Sequence, residues 1–229
     1  MNTVLITGSS RGLGRALALK FAKEKYNVII HGRVAEELKE VQKEIKKYGV
    51  ECTIVSGDIS DAYIRTNLVC SAQEKKIDIL INNAGQYLKK SFKDTDAGEI
   101  YKVIVTNLMC SMMLIKDIYN SVFRDRNNGL IININSLAGQ QTNEQEPVYC
   151  ASKYGLKGFS DSFKKEAIRN NVVVTDIYLG AMNTSMTSNR VLDSDKLMKV
   201  DEVADVIFNS SSIYSSLRIS EITISRRIY

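Results

Sequence analysis

The sequence predicts an α/β fold, a doubly wound parallel sheet of about seven strands flanked by helices. Two observations carry this expectation. Short β-branched runs alternate with longer amphipathic stretches along the whole chain, which is the pattern of a sheet covered on both faces. A glycine-rich loop joins the first of those runs to the first amphipathic stretch. No linker, repeat or low-complexity stretch interrupts the 229 residues, so residues 1–229 read as a single domain.

Thr3 to Ile6 is an apolar run ending in the glycine loop, and residues 15–25 carry Ala16, Leu17, Leu19, Lys20 and Phe21, which suit a helix. Val28 to Ile30 is a second buried-type strand. Residues 34–48 space Val34, Leu38, Val41 and Ile45 three to four apart, and Gly49 stops that helix as a C′ residue. Cys52 to Val55 is a third strand, residues 60–75 a weaker helical stretch, and Ile77 to Ile81 a fourth strand followed by N-N-A-G. A long helix-compatible segment covers 96–124, and Leu130 to Ile134 is the fifth strand. Residues 148–169 are helical, Val172 to Ile177 is a sixth strand, 201–209 a short helix, and Ile222 to Ile224 a last strand. The serines at 210–212 and 215–216 read as the loop before it.

Composition removes several classes of function. His31 is the only histidine, so a histidine-based nucleophilic device has one candidate residue. Cys52, Cys70, Cys110 and Cys150 contain no C-x-x-C pair, so no metal site is expected. The net charge of +5 is spread along the chain without a basic cluster, and nucleic acid is not an expected partner. The start M-N-T-V-L-I-T-G has neither a basic n-region nor an apolar h-region. Apolar runs fall far short of the roughly 18 residues a membrane span needs. The expectation is a cytoplasmic protein with free thiols and no membrane partner.

Glycine placement says more than glycine number. Thirteen glycines and one proline compare with about 16 and about 11 in ordinary usage. T-G-S-S-R-G-L-G, Thr7 to Gly14, lies between a strand and a helix, where backbone N–H groups and the helix N-terminus favour an anion. G-K-[ST] is absent, which argues for a dinucleotide rather than a nucleoside triphosphate. A carboxylate at the second strand's end would hold an adenosine ribose 2′-OH; that place holds Gly32, with Arg33 beside it and Arg11 in the loop. Two cations suit a 2′-phosphate, so NADP(H) is expected in preference to NAD(H). Both arginines also read as solvated loop charges. Asp58 suits either the adenine or a helix-start turn with Ser60.

Tyr149 and Lys153, in Y-C-A-S-K after the only proline, Pro147, are i and i+4 and project from one helix face. An ammonium near a phenol lowers its pKa from about 10, which suits a general acid or base. Ser136 closes the fifth strand, where a hydroxyl can meet a substrate oxygen or simply start a turn. Asn107 stands inside a helical stretch that disfavours it, so it either has a buried hydrogen-bonding task or faces solvent.

Taken in order, T-G-S-S-R-G-L-G, Asp58, N-N-A-G at 82–85, Asn107, Ser136, Y-C-A-S-K and L-G-A-M-N-T at 179–184 resemble the short-chain dehydrogenase/reductase family in its single-domain, Rossmann-like form. The resemblance spans essentially residues 2–225. It implies that Tyr149 is the acid/base, that Lys153 tunes it and holds the nicotinamide ribose, that Ser136 orients the carbonyl, and that Asn107 holds a water in a proton relay. It implies a cofactor site from Gly8, Ser10, Arg11, Gly12, Leu13 and Gly14, with Arg33, Asp58 and Ile59. It implies further that Asn83, Ala84 and Gly85 line the adenosine ribose, that Gly180 is among the cofactor contacts, and that Met182 and Thr184 anchor the carboxamide.

Two departures stand out: Leu179-Gly180 replaces the family's Pro-Gly, and the C-terminal segment lacks the glycine often used in subunit packing. The expected assembly is therefore a homodimer through 96–124 and 148–169, with a homotetramer open. Gln86, Tyr87, Leu137, Gln140, Gln141, Tyr149, Met182 and Met186 are the candidates for a pocket taking a small carbonyl or alcohol substrate. The adaptable methionines suit varied apolar shapes. The alternative readings are a non-catalytic NADP(H)-binding regulator, which would be expected to lose the Tyr/Lys pair, and a sugar-nucleotide epimerase or dehydratase. The latter needs a further domain, and 45 residues follow Thr184.

Overall fold

The structure, a computed structural model, describes residues 1–182, 197–211 and 217–226. Seven strands form one sheet in the order β3-β2-β1-β4-β5-β6-β7. They are β1 (Thr3–Ile6), β2 (Asn27–Gly32), β3 (Cys52–Ser56), β4 (Ile79–Asn82), β5 (Gly129–Ser136), β6 (Val172–Leu179) and β7 (Glu221–Ile224). Every pairing is parallel. The chain winds outward one way from β1 to β3, then crosses back to β4 and winds the other way. The β1/β4 junction is therefore the switch point, and a crevice opens there at the strands' carboxyl ends.

Alternation along the strands separates two apolar layers. Val4, Ile6, Val28, Ile30, Ile79 and Ile81 face one layer with α1 (Gly12–Lys23), α2 (Ala35–Lys46) and α8 (Val200–Ser211). Leu5, Ile29, Leu80 and Ile131 face the other with α3 (Ala62–Glu74) and the helices that follow β4. There α4 (Ala97–Ile104), α5 (Cys110–Ile118) and α6 (Arg124–Arg126) are joined by π-turns at Val105–Met109 and Tyr119–Phe123. They run on as one helix, Ala97–Arg126, which by length and composition alone could cross a bilayer. Its Leu114, Ile115, Ile118 and Phe123 are instead fully buried in the second layer. Asp96 opens it with a capping box to Glu99. The second long helix, α7 (Pro147–Ala167), places Pro147 in its first turn, where the missing N–H costs nothing.

The expected strands and helices all occur, with shifted ends, but α8 takes in Ser210 and Ser211, which composition reads as loop; Ser212, Ser215 and Ser216 lie outside the described residues. α1 begins at Gly12, inside the glycine loop, three residues before the apolar periodicity starts. β5 and β6 extend to Ser136 and Leu179. The added residues include Asn135, whose side chain is paired within the fold, so its polarity conceals a strand position. Leu179 stays in register with Ser136 and Ile224 and is buried. The strand thus continues through the position where the resemblance leads one to expect proline. Gly49 ends the second helix at φ +73, its N–H bonded to the Lys46 carbonyl.

Candidate active site

A cleft of about 1090 Å³ lies at the switch point. Its floor is the loop between β1 and α1. Gly8 and Gly12 have φ of +65 and +55, a region that side chains with a Cβ rarely adopt. At Gly14 a Cβ would stand 2.2 Å from the Gly8 carbonyl oxygen and 2.5 Å from Asn83 Nδ2. Asn83 Nδ2 donates to the Thr7 and Gly8 carbonyls, both at 2.9 Å, and the Asn83 and Ala84 N–H groups donate to Thr7 Oγ1 at 3.0 Å. The segment after β4 is thereby stitched to the loop after β1. The first turn of α1 holds no acidic residue. A dinucleotide therefore fits here on the loop's own geometry: backbone within reach, helix dipole unopposed, Arg11 and Arg33 on the walls.

Ser10, Gly12, Leu13, Arg33, Asp58, Ile59, Asn83, Ala84, Gly85, Gly180 and Met182 all line the cleft. Asp58 Oδ1 accepts from the Ser60 N–H at 2.8 Å and its hydroxyl at 2.7 Å. These bonds, with the Arg33 guanidinium nearby, hold its carboxyl below the usual carboxylate range. Thr184 and Met186 lie outside the described residues.

Ser136, Tyr149 and Lys153 line the same cleft at its other end. β5 delivers Ser136, whose Oγ accepts from the Ala138 N–H at 3.1 Å. α7 delivers the other two, and Lys153 Nζ lies 5.8 Å from the centre of the Tyr149 ring. Nζ donates to the Ile134 carbonyl at 3.0 Å, and burial brings the Lys153 pKa down to about 8. Gly139 lets the 3₁₀ turn after β5, Leu137–Gly139, approach α7 closely, since a Cβ there would stand 3.0 Å from the Lys153 carbonyl oxygen.

Asn107 sits in the first π-turn and is buried, not solvent-facing. Its Oδ1 accepts from the Gln86 N–H at 2.7 Å, and its Nδ2 donates to the Gln86 carbonyl at 2.8 Å and Ser152 Oγ at 3.0 Å. Ser152 Oγ donates onward to the Tyr149 carbonyl at 2.7 Å. The side chain thus clasps the backbone after β4 and joins it to the turn that carries Tyr149.

Gln86, Leu137 and Gln141 line the cleft. Gln140 does not, and instead donates to Thr223 Oγ1 at 3.4 Å. Glu146 is a cleft residue the motifs did not signal. It is 6% exposed and accepts from the Tyr87 hydroxyl at 2.5 Å, and the Tyr87 ring meets Tyr149 edge-on with centres 5.1 Å apart. Its place immediately before Pro147 is the one cue in the sequence. Outside the cleft, the carboxylates of Asp161, Asp176 and Glu221 converge within 4.8 Å. Lys164 lies between them, 2.6 Å from Asp176 and 3.3 Å from Asp161, which makes the group an ion-pair cluster.

Comparison with known proteins agrees with this geometry. The family described as short chain dehydrogenase matches residues 2–195. A ketoacyl reductase of Nostoc is 31% identical over 94% of this chain and 81% of its own. An NADP-dependent 3-hydroxy acid dehydrogenase of Schizosaccharomyces pombe is 29% identical over 96% and 84%. Among solved structures, an alcohol dehydrogenase of Thermococcus sibiricus complexed with 5-hydroxy-NADP superposes with a TM-score of 0.91 at 23% identity, covering 100% of this chain and 97% of that one. With the family model spanning residues 2–195 of the 229, the chain belongs to the short-chain dehydrogenase family of oxidoreductases.

Proposed function

We propose that the protein is an NADPH-dependent carbonyl reductase, interconverting a carbonyl and a secondary alcohol. The observation that carries this reading is that Ser136, Tyr149 and Lys153 open into the same cleft as the glycine loop. A bound dihydronicotinamide supplies a hydride for the carbonyl carbon. The Tyr149 phenol gives its proton to the carbonyl oxygen, so the alkoxide is quenched as it forms. Lys153, as an ammonium, favours the phenolate that remains. Ser136 Oγ holds the carbonyl oxygen in place.

NADPH over NADH is supported by Arg11 and Arg33 on the cleft wall, by Gly32 in the carboxylate's place, and by the cofactor named for the fission-yeast relative. Gly32 has little room for any side chain, since its Cβ would stand 3.1 Å from Ser10 Cβ. The same reading includes a homodimer. Tyr101, Met109, Met112 and Met113 are exposed on the long helix, and Tyr154 is exposed on α7. A second copy would cover them.

Incubation with a panel of ketones, keto esters and alcohols, with NADPH/NADP and NADH/NAD followed by absorbance, tests the reaction. Carbonyl-dependent oxidation of NADPH is expected. Cofactor binding without turnover across the panel would favour a non-catalytic dinucleotide-binding role.

A further inference from the structure

The only histidine of the chain has a position that the reaction leaves unused. His31 is in β2, 2% exposed, directly beneath the glycine loop. Its Nδ1 accepts from the Gly8 N–H at 3.3 Å. Its backbone is tied to the next residue of the loop three times over. The His31 carbonyl accepts from the Ser9 N–H at 2.7 Å and the Ser9 hydroxyl at 3.3 Å, and the His31 N–H donates to Ser9 Oγ at 2.9 Å. Ser9 is itself fully buried. On the far side of the ring, Nε2 is buried without a hydrogen-bond partner, and the Gly57 backbone and Asp58 lie near the imidazole.

These contacts fix the ring's protonation. Nδ1 can accept from Gly8 only with a lone pair there, so the proton sits on Nε2. Burial brings the His31 pKa down to about 4, which agrees with a neutral ring. Gly8 needs such a hold. Its φ of +65 and the 2.9 Å that would separate a Cβ from Ala84 Cα leave it one narrow placement.

We propose that His31, as the neutral Nε2–H tautomer, is a positioning residue for the dinucleotide. It acts through Gly8 and Ser9 on the loop that receives the pyrophosphate. The proposal rests on the reading of the cleft as a nicotinamide-dinucleotide site. It goes beyond that reading in assigning the loop's geometry to an imidazole that touches neither cofactor nor substrate. The sequence supplies no second histidine to confuse the measurement.

The test has two arms. In the cofactor-free protein, the nitrogen resonances of this single imidazole report its tautomer near pH 7. A protonated Nε2 with a hydrogen-bonded Nδ1 is expected, and the opposite tautomer or a charged ring would overturn the proposal. In the second arm, NADPH is titrated into wild type, His31→Leu and His31→Asn, whose side-chain oxygen restores an acceptor for Gly8. His31→Leu is expected to weaken NADPH about tenfold with the carbonyl KM within threefold of wild type. His31→Asn is expected to recover most of the loss. Equal affinity in wild type and His31→Leu, or no recovery in His31→Asn, would overturn it. Should His31→Leu not fold, the tautomer and the Asn variant still decide. Wild type binding neither NADPH nor NADH would overturn the cofactor reading and this proposal with it, a result distinct from tight binding that ignores His31.

Discussion

Lys153 Nζ lies 5.8 Å from the centre of the Tyr149 ring and 3.0 Å from the Ile134 carbonyl, one helical turn along the same face of α7. In the proposed reaction the two side chains would act together, the phenol as proton donor and the ammonium as its electrostatic partner. Tyr149→Phe keeps the ring that packs against Tyr87 and removes only the hydroxyl. It is expected to leave NADPH binding within threefold and to lower turnover by about 10²–10⁴-fold. Calorimetric titration beside steady-state kinetics checks both, and retained turnover would remove Tyr149 from the acid/base role.

The Lys153 pKa, lowered by burial from its ordinary 10.5 to about 8, has two consequences of known sign. Between pH 8 and 10.5 the unfolded chain binds the proton that the folded chain has released. Stability therefore rises with pH across that window through this group, by up to about 3 kcal/mol, and the penalty is fully present below pH 8. Urea melts of wild type and Lys153→Met across pH 7–10 are expected to lose that rise in the variant. The ammonium that steadies the phenolate disappears above about pH 8, so kcat/KM for NADPH is expected to fall on an alkaline limb near that pH. A profile flat to pH 10 would contradict it.

Legibility followed the range of the interactions. The glycine loop, the strand order of apolar runs and the i, i+4 pair are local patterns, and the chain displays them directly. Asn107 is ambiguous in the sequence because what satisfies it, the Gln86 backbone and Ser152, lies 21 and 45 residues away. Asn133 and Asn135 likewise look like poor strand residues until Asn82, Ser160 and Lys153 are seen to pair with them. Gln140 and Gln141 are chemically identical neighbours; only the 3₁₀ turn at Leu137–Gly139 decides which one faces the cleft. Glu146 carries no local signal because its partner Tyr87 sits 59 residues earlier.

The proposed preference for NADPH rests partly on Arg33, which lines the cleft beside Gly32 and influences Asp58 electrostatically. A guanidinium on a 2′-phosphate is a charge-assisted contact worth about 1.5–3 kcal/mol. Arg33→Ala is expected to raise the NADPH dissociation constant roughly 10–100-fold and the NADH constant less than threefold. Fluorescence titration with both cofactors measures this. Equal losses would mean that Arg33 acts on the shared part of the dinucleotide.

Gly14 is the position where one methyl group should do the most damage. A Cβ there would stand 2.2 Å from the Gly8 carbonyl oxygen, which belongs to backbone and is itself held by Asn83 Nδ2 at 2.9 Å. That amide nitrogen would lie 2.5 Å from the same methyl, so the loop and the segment after β4 must both move. Helix propensity alone would favour alanine over glycine by up to about 1 kcal/mol, so any net loss reports the clash. Gly14→Ala is expected to be destabilised by about 2 kcal/mol or more in urea and to lose NADPH binding by at least tenfold. Gly158, in α7 with nothing within 4 Å of its would-be Cβ, is the control. Gly158→Ala should gain the propensity term and leave binding alone. If both variants melt alike, the close packing of the loop against Asn83 is not what makes position 14 a glycine.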